Sequence, residues 1–174
     1  MIDRVHIAKL CIAASNRHDI VFYELLEQRQ QVDINTKINL AEFSEDENRE
    51  LNEFCAEYKM ALGTDNDRLY ENNSVLIHCL SVENMECALH LLNRFPECDV
   101  ALQNEHQFDA LKMLFYSIST CDWKHRAISG DDIPLSSDDA ENKCNNALAI
   151  LDIIYSKHPN FLQSINENDC NERN

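Results

Sequence analysis

Glycine and proline are almost missing from this chain, at 2 and 3 of 174 residues. Glycine is the default residue for tight turns and left-handed backbone, so a fold of many hairpins would need more of it. Gly63 and Gly130 stand alone, which excludes a glycine-rich phosphate loop and the nucleotide folds built on one. Positive charge is also short. Lys and Arg number 15 against 31 Asp and Glu, a net charge of −16. A field of that sign repels phosphate backbones and anionic lipid surfaces, so neither nucleic acid nor membrane is an expected partner. No apolar run approaches a membrane span. Residues Met1 to Lys9 are broken by charge and hold no secretory signal core. The expected location is the cytoplasm.

Hydrophobic residues make up 44 %, enough for the core of about one domain. The eight cysteines show no pair at the close spacing of a closed zinc site. They are expected to be reduced and mostly buried, acting as small apolar residues. His78, Cys79, Cys87 and His90 lie close in sequence, but the cysteines fall at apolar helix positions. No metal, no cofactor and no catalytic residue is expected. Cys121, near Lys124 and His125, is the least poor candidate for a nucleophile, and nothing in the sequence marks it as activated.

Apolar periodicity predicts helices throughout, hence an all-α fold. Residues 2 to 27 read as helix, polar break at Ser15–Asp19, and helix. Ser44 followed by Glu47 forms a capping-box pattern, and the helix it opens should run past Leu62 to stop at Gly63. Further helices are expected around 75–80, 85–92 and 109–119, and again from Ser137 to about Ile154. Thr120 to Asp139 reads as an irregular segment. Residues 36–72 fit no clean repeat.

The segment Glu83 to Leu92 lies on Asn145 to Ile154 without a gap, with apolar residues matching at six positions. Pro96 and Pro159 follow, and then Asn104-Glu105 and Asn166-Glu167. The helix starts also correspond: Leu76 and Leu111 stand 35 residues apart. Leu10-Cys11-Ile12-Ala13-Ala14 is similar to the first-helix core of an ankyrin repeat, and Asn84 through Leu92 resembles its second helix. Asp99-Val100 and Val32-Asp33-Ile34-Asn35 resemble the stretch that follows. The chain therefore resembles a divergent ankyrin-repeat protein over about 100 residues. Pro and His of the family's TPLH signature are replaced, and Arg17, Glu83 and Asn145 stand where the turn glycine is expected. Its divergent, Asn- and Glu-rich character is also similar to ankyrin proteins that intracellular bacteria deliver into host cells, which would place it in the host cytoplasm.

The resemblance implies stacked helix-turn-helix repeats that bind proteins without catalysis, as an adaptor or effector. The alternative architecture is an irregular α-helical bundle. The alternative function is a small acidic chaperone or regulatory subunit that masks a basic or amphipathic segment of its partner. A single repeat domain is expected over 1–168, with an insertion at about 117–144 in the last repeat and a frayed tail over 169–174. Two groups are the expected partner contacts. One is Trp123, Lys124, His125 and Arg126, the sole Trp beside a cationic cluster, since Trp and Arg are enriched in binding hot spots. The other is the inter-repeat loop with Asn104, His106 and Phe108. Ser136-Ser137-Asp138-Asp139 reads as a helix cap more than a phosphorylation site.

Overall fold

The computed structural model describes residues 4–28, 33–62, 67–128, 137–157 and 159; side chains are described over 4–28, 33–62, 68–119 and 141–157, and at Pro159. Expectations that fall on Ser136, on Cys170 or on the tail lie outside these. The helices are α1 (Arg4–Ser15), α2 (Asp19–Glu27), α3 (Glu45–Tyr58), α4 (Val75–Ser81), α5 (Met85–Arg94), α6 (Ala110–Ile128) and α7 (Ser137–Lys157), with 3-10 turns at Leu40–Glu42 and Asp67–Tyr70. Among the described residues there is no strand, only one antiparallel bridge between Ile38 and Asn73. The fold is all-α.

Three antiparallel helix pairs are stacked. α1 packs with α2, α4 with α5, and α6 with α7. α1, α4 and α6 adjoin one another in one layer, and α2, α5 and α7 in the other. The first two turns have the same construction. Arg17 N–H donates to Ala14 and His18 N–H to Ala13; 66 residues on, Glu83 N–H donates to Leu80 and Asn84 N–H to Cys79. Arg17 and Glu83 take φ of 57° and 60°, the left-handed region that glycine usually fills. Neither is glycine, and the Arg17 side chain offsets part of the conformational cost. Its guanidinium donates to the carbonyls of Glu83 (3.1 Å) and Val82 (2.9 Å), tying one turn to the next. The loop ends repeat at the same distance: Asp33 accepts from Asn35 N–H and Asp99 from Ala101 N–H, each at 2.9 Å.

The segment that fits no repeat makes a detour. α3 packs on α1 and runs parallel to it, with Arg4 on Glu47, Lys9 on Glu50 and Asn16 on Ala61 in the same order. The capping box at Ser44 and Glu47 is present. The Arg4 fork on both oxygens of Glu47, with Ser44 behind it, pulls that carboxyl down to about 2. α3 stops sooner than the sequence suggests. Lys59 takes φ 54° as the cap, Met60 N–H donates to Cys55, and Leu62 lies beyond the helix. A buried Met60 closes the end, so no glycine is needed.

The core runs through all three pairs. Leu10, Leu76 and Leu111, the positions aligned in the sequence, are all buried, and so are both members of Met85/Ala147, Ala88/Ile150 and Leu92/Ile154. Each fully buried Leu or Ile contributes about 1.5–3 kcal/mol of transfer free energy. α4 is buried on every side, flanked by α1, α5, α6 and the 67–70 turn. Cys11, Cys55, Cys79, Cys87 and Cys98 are buried free thiols, and Cys144 is an exposed one.

The irregular segment expected over 120–139 is helical at both ends. α6 continues to Ile128 and α7 begins at Ser137, so the extra residues lengthen the last pair. The sequence from Cys121 to Ile128 holds neither Gly nor Pro, and its one Asp, Asp122, does not break the helix.

Candidate functional site

The chemistry-bearing groups inside the stack are turned to structure. Ser15 Oγ and His78 Nε2 approach to 2.8 Å, a nucleophile–base distance, but His78 is 0 % exposed between α1 and α4. Burial, with the charge of Arg68, pulls its imidazole down to about 4. Burial likewise raises the thiol pKa of Cys11, Cys55, Cys79 and Cys87, which keeps these groups protonated and weakly nucleophilic. Cys87 donates to Asp19 at 3.3 Å, and His90 packs on the Tyr23 ring at 4.3 Å between centroids. Among the described residues no three His, Cys, Asp or Glu come together as a metal site.

The surface is different. Of the eight large hydrophobic side chains exposed among the described residues, five sit on the last helix pair: Phe115, Tyr116, Ile118, Leu148 and Tyr155. The repeat explains why. Phe115 occupies on α6 the place that Leu80 occupies on α4, 35 residues earlier. Leu80 is 0 % exposed because α6 lies against α4, where Ser117 Oγ donates to the Leu80 carbonyl at 2.6 Å. Phe115 is 50 % exposed, on the side of α6 turned away from Ser117. On α7, Ala147, Ile150 and Ile154 are buried, and the opposite side carries Glu141, Asn145, Leu148, Asp152 and Tyr155 at steps of three and four, all exposed. Together these residues form an end of the stack that nothing covers among the described residues.

The expected contact residues divide. Asn104 is 5 % exposed and holds its own loop: its carbonyl oxygen accepts from His106 and Phe108 N–H, and its amide donates to Asn73 at 2.9 Å. His106 is exposed, 3.6 Å from Glu105. Phe108 is partly buried and meets Tyr116 edge-on at 5.7 Å, while Arg68 lies over the other aromatic, Tyr116, at 5.9 Å. Asp109 caps α6 by accepting from Lys112 N–H, and burial raises its pKa. Trp123, Lys124, His125 and Arg126 lie on α6 itself, and position 123 is two turns beyond Tyr116; their side chains are outside the described set. The loop and the Trp segment are thus joined by one helix.

Sequence reasoning did not single out Phe115, Ile118, Leu148 or Tyr155. The available signal was the breadth of the pattern. Leu111 to Ile118 is apolar on more than one side of α6, which a helix with a single buried stripe does not require. No protein-family model, curated protein or solved structure matches the chain.

Proposed function

We propose that the chain is a divergent ankyrin-type module that binds another protein without catalysis, as an adaptor or effector, through the surface of its last helix pair. The concentration of exposed apolar side chains on α6 and α7 carries this reading. Monomeric proteins rarely leave large contiguous apolar patches uncovered, and such patches mark interaction sites. Support for the ankyrin type comes from the two helix layers, the left-handed turns at Arg17 and Glu83, and the matching Asp33 and Asp99 loops at twice a 33-residue period. The open stack also favours a repeat surface over a closed bundle masking a segment in its interior.

The test is affinity capture from cell lysate. Wild type is compared with Phe115→Asp, with Trp123→Ala plus Arg126→Ala, and with Ile20→Ser on the exposed side of α2 as a remote control. Circular dichroism checks that each variant is folded. The expected outcome is a set of proteins lost with Phe115→Asp and reduced with the Trp123 and Arg126 pair, but kept with Ile20→Ser. Equal capture by all variants removes the last pair as the contact surface.

A further inference from the structure

The two ends of the stack are finished differently, and the covered end shows what a cover consists of. On α1, α3 lays down an apolar stripe of Leu51, Phe54 and Cys55, all buried. Its carboxylates then meet the cations of α1 at the edges: Glu47 on Arg4 and Glu50 on Lys9, each at 2.6 Å. Arg4 also lies over the Phe43 ring and Lys9 over Phe54. The cover is thus an amphipathic helix whose flanking charges oppose those of the face beneath.

The open end has the apolar component, with the flanking charge reversed. Phe115 and Ile118 are exposed on α6, and Leu148 and Tyr155 are exposed on α7, the helix packed against it. That α7 stripe is edged by Glu141 and Asp152 and holds no basic residue. The lysines whose side chains are described on these two helices are turned to the chain itself. Lys143 faces Glu83 at 3.9 Å, Lys157 donates to the carbonyls of Pro96 and Cys98, and Lys112 reaches that of Gln107. A second copy is a poor cover, because it would set Glu141 and Asp152 against the same acids in an assembly of two chains at −16 each.

Resting on the interaction reading above, we infer that the face formed by Phe115, Ile118, Leu148 and Tyr155 receives an amphipathic helix of a partner protein, with an apolar stripe flanked by Lys or Arg. The partner continues the stack as α6 and α7 do on α4 and α5. Its cations meet Glu141 and Asp152 as Arg4 and Lys9 meet α3 at the other end. The acidic field of the whole chain speeds the encounter, and the local carboxylates set the register.

The probe is a synthetic amphipathic helix with a leucine stripe and lysine flanks, labelled for fluorescence anisotropy, beside a twin with glutamate flanks. Full-length wild type should bind the lysine peptide at least about tenfold more tightly than the glutamate twin. Leu148→Asp, and separately Glu141→Lys with Asp152→Lys, should each weaken it by about tenfold. Glu53→Lys with Glu57→Lys, exposed on α3, changes the net charge equally and should leave binding within about twofold. Equal loss from both charge reversals would mean non-specific attraction and would overturn the inference. So would a sedimentation dimer abolished by Leu148→Asp, which makes a second copy the occupant. Tighter peptide binding by Phe161→Ser with Leu162→Ser would make the chain's own last residues the occupant, with the same consequence. If the peptide fails while Phe115→Asp still loses captured proteins, this inference falls and the interaction reading stands. If capture is also unchanged, both fall.

Discussion

At the scale of single residues, His78 ties stability to pH. It is fully buried, Ser15 meets it at one ring nitrogen, and its pKa falls from 6.5 to about 4 on folding. Between those values the unfolded chain binds the proton and the folded one does not. Stability from this group is therefore full above pH 6.5 and is lost as pH falls towards 4, by about 3 kcal/mol in all. Urea unfolding at pH 7 and pH 4 should show that loss on top of a common carboxylate contribution, and His78→Gln should lack it. Arg17 gives a second test. Its left-handed φ favours glycine, while its guanidinium bonds favour arginine. Arg17→Ala keeps the strain and removes the bonds, so it should cost about 1–2 kcal/mol in urea unfolding; Arg17→Gly should stay within about 0.5 kcal/mol of wild type. Equal costs for the two would deny the strain. These positions also show what one sequence can convey. Arg17 and Glu83 could be placed where a turn glycine belongs, but the bonds the Arg17 side chain makes there go to carbonyls 65 and 66 residues away.

At the scale of elements, equivalent positions carry unequal weight. Leu80→Ala should cost about 3 kcal/mol, because it leaves a cavity between α4 and α6. Phe115→Ala, at the matching place on α6, should change stability by less than about 0.5 kcal/mol. Thermal or chemical unfolding separates the two outcomes. A large cost at Phe115 would mean that its ring supports the fold and is not free for a partner. Some element starts were readable because they are local: the Ser44–Glu47 box and the polar break at Ser15–Asp19 both act within one turn. Element ends were less readable. Lys59 ends α3 without glycine because Met60 is buried, and burial is not a local property. The continuation of α6 past Thr120 was hidden by polar residues, Asp122 and Lys124 to Arg126, that propensity tolerates inside a helix.

At the scale of the whole molecule, the charge of −16 should oppose compaction. Raising NaCl from about 0.01 to 0.3 M should screen that repulsion and raise Tm by about 3–5 °C, read by calorimetry. A fall in Tm would mean that pairs such as Arg4–Glu47 and Lys9–Glu50 outweigh the repulsion. The stacked architecture was partly legible, since the 35-residue and 66-residue correspondences both lie in the sequence. The position of α3 was not. Its neighbours in sequence are α2 and α4, whereas its neighbour in space is α1, and no periodicity reports such a return.

That return makes the stack directional. The chain seals its first helix with a piece taken from its own middle, so no further unit can be added beside α1 without first displacing α3. The end at α6 and α7 carries no such seal among the described residues. Any lengthening of this architecture, whether by duplicated repeats within one chain or by another molecule lent to it, must therefore proceed from α6 and α7 outward.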